Sequence, residues 1–344
     1  MPDPVGMGFQ LASNAVRFGW YSGVNWMLGR EARRYGKRSP YTPSRPVPSQ
    51  AELFADVRAL LVRDARLVGE GVLPPAGDET SLPDHLDRVR AMFADLAESV
   101  PRWISGEPTT VRELPEAEGL PAYFTQDFHY QTGGYLSEES ARLYDVQVET
   151  LFYGAAAAMR RAAIPPIAEF VAGRDQRGLE LLDVACGTGR FLRQVRLAFP
   201  AIRAKGLDLS RAYLDEAQRH LGGLRPVELV VGNAEELPFA DASQDVVTSI
   251  YLYHELPAEV RRRVTAEIAR VLKPGGLFVF VDSLQSGDRP GWDGLLEAFP
   301  ARYHEPYYRH YLIDDLDGLF AAHGLAAHSS STAFLSKVMV RGKR

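Results

Sequence analysis

Short apolar runs and polar turns alternate through the second half of the chain. Residues 179–184 form an apolar run that ends in an acid, and a glycine-bearing turn follows directly. After that turn, Phe191, Leu192 and Val195 recur at helical spacing. Further runs of strand length lie in residues 201–210, 227–239, 245–257 and 277–283, and residues 326–343 contain two more. This alternation of strand and helix patterns predicts an α/β fold.

Helical patterns dominate the first half instead. Ser49 and Glu52 form a capping box ahead of one amphipathic helix. A second helix is predicted to begin near Pro83 and to end before Pro101, and a third opens at Ser137. These helices predict a mainly helical N-terminal region.

Proline content suggests where this region begins. Residues 39–48 carry four prolines, which predict an extended linker. We therefore divide the chain into an N-terminal segment with its linker at 1–48, a helical region at 49–164 and an α/β domain at 165–344.

Residues 5–30 are apolar and aromatic, and a basic stretch follows them. This order is the reverse of that in a secretory signal, and internal glycine, asparagine and arginine make a poor membrane span. Two interpretations stay open. The segment forms an interfacial helix on a membrane surface, with Phe9, Phe18, Trp20 and Trp26 beside the basic cluster. Alternatively, it packs against its own chain or against a second copy, and the oligomeric state is undetermined.

The turn after the first strand has the features of a nucleotide pocket. Gly187 and Gly189 allow a tight turn and a close approach of the backbone to a ligand. About 20 residues later, Asp208 ends the second strand, where an acid accepts hydrogen bonds from both ribose hydroxyls. The turn Asn233-Ala234-Glu235 after the third strand offers donors and acceptors that suit an adenine edge.

The order LLDVACGTGR, GLDLS, GNAEELPF, DVVTSIYLYHELP and LKPGG resembles a class I S-adenosylmethionine-dependent methyltransferase that acts on small molecules. The resemblance covers roughly residues 165 to 344. It implies a Rossmann-like seven-stranded sheet with helices on both faces, with S-adenosylmethionine as the cofactor. One departure is Ala185, where many members of the family carry glycine. That change is mild if the dihedral angles there are ordinary.

The resemblance also implies a set of site residues. The cofactor-binding candidates are Asp183, Ala185, Gly187, Gly189, Arg190, Asp208, Leu209, Asn233, Ala234, Glu235, Ser249 and Tyr135. In such enzymes the segment before the first strand covers the pocket, so the substrate-pocket candidates are Tyr130, Gln131, Tyr253, His304, Tyr307 and Tyr308. For Arg190, pairing with the methionine carboxylate and exposure on a helix are both open.

The catalytic candidates are His254, Tyr251 and His129. His254 follows the fourth strand at the edge where open α/β sheets bind ligands, and its ordinary pKa near 6.5 suits proton abstraction. It can equally cap the following helix. A carbon or amine acceptor needs no protein base, since positioning then supplies most of the catalysis.

Composition narrows the class of partner. A net charge of -5 and a pI near 6.0 give no attraction to nucleic acid. One cysteine, Cys186, excludes an internal disulfide and favours a reducing compartment, so we expect a cytoplasmic protein. Cysteine and histidine lack zinc-type spacing, and we expect no metal. Arg261, Arg262 and Arg263 are expected to face solvent.

Two functions remain open from the sequence. The first is methyl transfer to oxygen, carbon or nitrogen of a small molecule, probed by transfer of a labelled methyl group. The second is a protein of the same fold that binds the cofactor without methylating anything.

Overall fold

A central seven-stranded sheet organises the second half of the chain, and the computed structural model describes residues 2–36, 41–76, 81–106 and 111–344. The strands are β1 (Glu180–Val184), β2 (Arg203–Asp208), β3 (Glu228–Val231), β4 (Gln244–Ile250), β5 (Leu272–Ser283), β6 (Leu325–Ala333) and β7 (Ser336–Lys343). Their spatial order is β3-β2-β1-β4-β5-β7-β6, in which β1 to β5 are parallel and β7 is antiparallel to both neighbours. The α/β class and the seven-stranded Rossmann-like sheet are therefore confirmed.

Helices precede the sheet and alternate with its strands. They are α1 (Pro4–Ala32), α2 (Gln50–Gly69), α3 (Leu82–Ser105), α4 (Glu138–Leu151), α5 (Ala156–Arg161), α6 (Ile164–Val171), α7 (Arg190–Ala198), α8 (Arg211–His220), α9 (Ala258–Val271), α10 (Asp293–Arg302), α11 (Tyr308–Tyr311) and α12 (Leu316–Ala322). The capping box of Ser49 and Glu52 opens α2 as predicted, and Ser137 caps α4. No described helix is both long enough and apolar enough to cross a membrane.

The two faces of the sheet bury separate cores because successive strand residues point in opposite directions. Leu181 packs with Ile167 of α6 and Leu192 of α7 on one face. Its neighbour Leu182 packs with Ile268 of α9 on the other. Both faces are thus covered, and the edge formed by the carboxyl ends of the strands remains for a ligand.

The predicted end of the second helix is wrong. Helix α3 continues through Pro101 to Ser105 and stops at Gly106, which has a left-handed φ of 73°. A proline removes one backbone donor. Beyond the proline, the guanidinium of Arg102 donates to the carbonyl oxygen of Tyr130 at 3.2 Å.

The prediction that three consecutive arginines face solvent is wrong for Arg261. Its side chain is fully buried, and its Nε lies 2.9 Å from Oδ2 of Asp314. The chain breaks between the two short helices α11 and α12, where Ile313 is exposed. The break lets Asp314 turn inward and neutralise the buried guanidinium.

The proline-rich segment packs against the α/β domain. Residues 39 and 40 lie outside the described part, and residues 41–48 run along α10 without regular structure. Tyr41 donates to Glu297 at 2.6 Å, and the amide of Gly294 donates to the carbonyl of Pro46 at 2.9 Å. This contact leaves no room for a side chain at Gly294.

We expect Gly294→Ala to destabilise the fold by about 1–3 kcal/mol. A Cβ there would lie 2.2 Å from the carbonyl oxygen of Arg45 and 2.6 Å from that of Pro46. Alanine otherwise favours a helix over glycine by about 1 kcal/mol, so a loss of stability would show that the contact with residues 45 and 46 outweighs this gain. Urea denaturation measures it. Gly178→Ala, whose Cβ would meet nothing within 4 Å, is the control. An unchanged or raised stability of Gly294→Ala would show that residues 41–48 do not press on α10.

Candidate functional site

A cavity of about 810 Å³ opens where the parallel strands end. Its floor comes from the residues that follow β1, β2, β3 and β4, including Gly187, Asp208, Asn233 and Tyr251. Residues 123–135, which precede α4, and the side chain of Tyr144 in α4 complete the walls.

The loop after β1 adopts a backbone that most residues avoid. Gly187 and Gly189 have φ angles of 54° and 74°, and a Cβ on Gly187 would meet nothing within 4 Å. Ala185 also has a positive φ, 59°, so its dihedral angles are not ordinary and the alanine stores strain. The loop therefore presents bare backbone to the cavity.

Asp208 is the buried acid of this site. Its Oδ2 accepts from the Gly187 amide at 2.8 Å, and its Oδ1 accepts from the Ser210 amide at 2.8 Å. Burial raises the pKa of its carboxyl, while these backbone donors oppose the rise. The carboxylate lines the cavity with lone pairs left for a hydroxyl donor.

Asp183 lies one strand away and does not line the cavity. Its Oδ1 accepts from the Thr248 hydroxyl at 2.6 Å, which ties β1 to β4. Burial raises the pKa of Asp183 to about 7, the Thr248 hydrogen bond opposes that rise, and the charge of Asp208 adds to it.

The turn after β3 forms another wall. Asn233 and Ala234 line the cavity, and the Asn233 Oδ1 accepts from the Glu235 amide at 2.9 Å. Tyr123 donates to Glu235 at 2.8 Å, and Glu235 also pairs with Arg263 outside the cavity. The segment before α4 is thereby fastened to the turn that faces the ligand.

Aromatic rings cover most of the remaining wall. Tyr135 stacks on Phe128 with ring centroids 5.3 Å apart, and it meets Tyr144 and Tyr213 edge to face. The cavity is also lined by Tyr123, Phe124 and Tyr251. Such a wall attracts apolar groups and positively charged ones, because ring faces are electron-rich.

Several predicted cofactor residues lie behind the cavity wall. Arg190 pairs with the buried Asp145 of α4 at 2.8 Å, and Thr188 donates to the same carboxylate at 3.0 Å. Gly189 contacts α8, and a Cβ there would lie 2.9 Å from Cβ of Ala217. Ser249 is buried in β4. The predicted cofactor residues that do line the cavity are Ala185, Gly187, Asp208, Leu209, Asn233, Ala234 and Tyr135, and the catalytic candidate Tyr251 lines it too.

His254 and Asp282 form a buried pair beside the cavity. The Nδ1 of His254 lies 2.6 Å from Oδ1 of Asp282, and its Nε2 lies 3.8 Å from Oε1 of Glu255. Burial lowers the pKa of His254, but the nearby carboxylates outweigh it and raise the pKa to about 10. His254 is therefore an imidazolium at neutral pH and is not free to accept a proton.

Glu255 lines the cavity, whereas the residue predicted from the sequence was its neighbour His254. Tyr135 donates to its Oε1 at 2.6 Å. Burial is the main cause that raises the pKa of Glu255 to about 7. Its position after β4, next to His254, is a signal that was available in the sequence.

The predicted substrate-pocket residues gather around a different group, the carboxylate of Glu305. The Nε2 of His129 lies 3.0 Å from Oε1 of Glu305. His304 contacts Tyr130 and is half-buried, while Tyr308 packs on His254. None of these side chains lines the cavity described above.

The other predicted pocket residues have structural partners. The amide of Gln131 donates to the Ser140 hydroxyl at 2.6 Å, and Tyr307 packs near Phe128. Tyr253 is fully buried in the second core, where its hydroxyl lies 2.9 Å from that of Thr265. Tyr253 lies beyond the end of β4, in the short 3-10 helix Tyr253–Glu255, which turns its side chain into that core.

Residues 181–276 match a family model described as a methyltransferase domain. The phthiotriol/phenolphthiotriol dimycocerosates methyltransferase of Mycobacterium tuberculosis is 36% identical over 130 residues, which cover 37% of this chain and 46% of that relative. The demethylmenaquinone methyltransferase of Listeria welshimeri is 36% identical over 138 residues, which cover 39% and 57%. The chain thus spans about half the length of the curated relatives it matches.

A solved structure of magnesium protoporphyrin IX methyltransferase from Synechocystis, with bound SAM, has a TM-score of 0.40 at 16% identity. The likeness covers 55% of this chain and 81% of that chain. The matched residues 181–276 of the present chain include the loop after β1 and the ends of β2 and β4.

We expect His254 to stay protonated up to about pH 9 or higher, because its pKa of about 10 depends on Asp282. This pKa exceeds that of an unfolded histidine near 6.5, so the pair stabilises the fold fully below pH 6.5. The contribution is lost as the pH rises toward 10. Histidine ring resonances in a nuclear magnetic resonance titration, assigned with His254→Asn, measure the pKa. Asp282→Asn should lower it by several units. Titration of wild-type His254 near pH 6.5 would contradict the imidazolium assignment.

Proposed function

Because the chain contains a class I S-adenosylmethionine-dependent methyltransferase domain, we propose that it transfers a methyl group from S-adenosylmethionine to a small lipophilic or aromatic acceptor. The observation that carries this proposal is the buried carboxylate of Asp208 beside the bare backbone of Gly187, on the wall of one aromatic cavity. The matched family model covers these residues.

The residues present fit the cofactor. The Asp208 carboxylate is aimed at the cavity, as an acceptor for two ribose hydroxyls must be. The open space in front of Gly187 admits a ligand where any side chain would intrude. Asn233 and Ala234 stand one strand further along, as an adenine edge requires. Leu209 adds an apolar contact between these two groups.

The aromatic wall suits a positively charged sulfonium. Cations bind over electron-rich ring faces, and desolvation strengthens the attraction to about 2 kcal/mol. Tyr135, Tyr144 and Tyr213 meet at nearly right angles, so ring faces and hydroxyls are both offered to the cavity. The same rings provide apolar surface for the acceptor.

A sulfonium supplies a methyl group that already has a good leaving group. Transfer breaks the sulfur–methyl bond and forms a bond from the methyl carbon to the acceptor atom in line with it, and a neutral thioether leaves. The chain must hold these atoms collinear, and such positioning accounts for much of the rate. The buried aromatic walls also keep water away from the reacting atoms.

The three predicted catalytic side chains are poorly suited to remove a proton. His254 is already protonated, and His129 faces Glu305. The Tyr251 hydroxyl lies 2.7 Å from that of Ser336, and burial raises the pKa of Tyr251 far above its usual value. We therefore assign His254 a positioning role, in which its charge holds Asp282 and Glu255 at the end of the cavity.

The acceptor class is proposed from the cavity and from the relatives. The two relatives are named for methylation of phthiotriol dimycocerosates and of demethylmenaquinone. An acceptor with an aromatic or lipophilic body matches the rings that line the present cavity. The lone buried Cys186 is consistent with a reducing compartment, and we retain the cytoplasm as the proposed location.

Helix α1 offers a surface for delivery of such an acceptor. One face packs on the protein, with Tyr21 and Val24 buried, and the opposite face exposes a continuous apolar stripe. The stripe consists of Val5, Phe9, Val16, Trp20 and Met27, which follow one another at alternating spacings of four and seven residues. Basic side chains of Arg30, Arg33 and Arg34 follow it and are exposed. Apolar contact beside positive charge favours an anionic lipid surface.

The proposed transfer reaction is tested by binding and by turnover. Calorimetry should show one S-adenosylmethionine site, and tritiated methyl groups should reach an organic-soluble product when reduced demethylmenaquinone is supplied as the probe acceptor. Asp208→Ala should weaken cofactor binding about 10- to 100-fold, because two buried hydroxyls lose their acceptor. Asp215→Ala on the exposed face of α8 is the control. Absence of binding by the folded wild type contradicts the proposal, whereas binding without transfer to any phenolic or lipid acceptor supports the non-methylating alternative.

The lipid contact of α1 is tested by sedimentation of the full chain with vesicles. Vesicles that mix phosphatidylcholine and phosphatidylglycerol should bind the chain, and salt should weaken binding because the basic residues contribute. Phe9→Ser with Val16→Ser should abolish binding, while Val62→Ser, another exposed valine, should not. If the wild type ignores vesicles and instead forms a dimer that the double variant loses, α1 contacts a second copy and the lipid assignment fails.

A further inference from the structure

Three side chains from distant parts of the sequence converge at the end of the cavity. His129 precedes α4, Glu255 follows β4, and Glu305 lies between α10 and α11. Their ligand atoms all lie within 4.8 Å of one another. We call these three residues the convergent cluster. Glu255 belongs to it and also lines the cavity, so the cluster and the cavity share a wall.

Glu305 is the unusual member of the convergent cluster. Its side chain is 0% exposed, and neither carboxylate oxygen has a hydrogen-bond partner among the described residues. In the described part of the chain, the polar side-chain atom paired with it is Nε2 of His129, at 3.0 Å, without the alignment of a hydrogen bond. A buried carboxylate without donors is costly, so something must compensate it. The His129 nitrogen and the Glu305 oxygen lie 3.0 Å apart without forming a hydrogen bond, as two ligands of one metal ion would.

The backbone at His129 supports a built site. His129 and Tyr130 both have a φ of 57°, a conformation that non-glycine residues rarely adopt. Such strain persists only where surrounding contacts enforce it, and it concentrates at ligand sites. Here the edge-to-face contacts of the His129 ring with Phe299 and Tyr303 hold the imidazole toward Glu305.

The charges around the cluster do not balance. Three carboxylates, from Glu255, Glu305 and Asp282, lie against two imidazoles, those of His129 and His254. Within the described ranges, no lysine or arginine forms an ion pair with Glu255 or Glu305. Tyr135 contributes one hydrogen bond to Glu255 but no charge. The site therefore gathers more acidic side chains than basic ones, an arrangement that a bound cation would compensate.

We propose that His129, Glu255 and Glu305 bind a divalent transition-metal ion such as Mn²⁺ or Zn²⁺ at the acceptor end of the cavity. One imidazole nitrogen with two carboxylates is a donor set that suits these ions better than Ca²⁺ or Mg²⁺, which prefer oxygen alone. Ligand atoms within 4.8 Å of one another need only small side-chain shifts to surround one ion with bonds of about 2.0 to 2.2 Å, which allow at most about 4.4 Å between two ligand atoms. Positions not taken by the chain open toward the cavity through Glu255.

The ion would perform the deprotonation to which the three predicted catalytic side chains are poorly suited, an inference that rests on the proposed methyl transfer. A divalent cation lowers the pKa of a hydroxyl that binds it, so the acceptor's proton passes to water at neutral pH. The oxygen lone pair then forms the new bond to the methyl carbon while the sulfur–methyl bond breaks. The acceptor is therefore assigned as a compound with a phenolic or enolic hydroxyl, and methylation is at oxygen.

Metal binding is tested without reference to activity. The full chain, stripped with a chelator, is titrated with Mn²⁺, and free Mn²⁺ is followed by electron paramagnetic resonance. One Mn²⁺ should bind per chain, and Glu305→Gln and His129→Gln should each weaken it by about tenfold or more. Glu139→Gln and His328→Gln, which change exposed residues of the same types, are the controls. Circular dichroism checks folding, and the less buried His129 provides the variant that is least disruptive to the core.

The results separate two explanations of the buried acids. If Mn²⁺ does not bind, or binds equally to wild type and both cluster variants, the carboxylates share a proton and the metal assignment is overturned. If S-adenosylmethionine binds and methyl transfer proceeds unchanged in chelator, the metal role fails while the proposed function stands. If Mn²⁺ binds as expected but S-adenosylmethionine does not, the metal site stands and the proposed function fails.

Discussion

The hydrogen bond from the Gly187 amide to the Asp208 carboxylate fixes the geometry on which the rest of the site depends. It joins the loop after β1 to the end of β2. The loop reaches this position with the left-handed φ angles of Ala185, Gly187 and Gly189. The carboxylate must be buried to reach this amide, and burial in turn leaves it facing the cavity rather than solvent. A ligand hydroxyl that meets it replaces water at little cost, since the acceptor is already in place.

The position of the N-terminal helices depends on the same loop, because an ion pair and a hydrogen bond hold α4 against it. Asp145 of α4 accepts from Thr188 and pairs with Arg190, on either side of Gly189. Further away, Arg88 of α3 pairs with the buried Glu216 of α8 at 2.7 Å. Breaking such a buried pair from one side leaves an uncompensated charge, so the helical region is held in a single position over the sheet. That position brings the aromatic residues before α4 into the cavity wall.

Local sequence patterns located the ends of the strands but not the direction of every side chain. Asp208 and Asn233 line the cavity because one ends a parallel strand and the other lies two residues beyond the next strand, and such strands all end at one edge. Tyr253 does not line it, because the 3-10 turn of residues 253–255 after β4 directs its side chain into the core. The solvent exposure expected for Arg261 failed because its partner, Asp314, becomes a neighbour only after the chain breaks between α11 and α12. No spacing in the sequence indicates that meeting.

The sequence by itself determined the α/β class, the capped helices and the acid at the end of β2. These follow from periodicity and from glycines whose backbone freedom is needed locally. Tertiary structure alone decided which acids share an environment. The sequence around His254 gives no sign of its charge, because Asp282, which lies beside it in the fold, is twenty-eight residues away along the chain. His129 and Glu305 carry no mutual signal along the chain, because electrostatic coupling depends on distance in space and on burial rather than on separation in sequence.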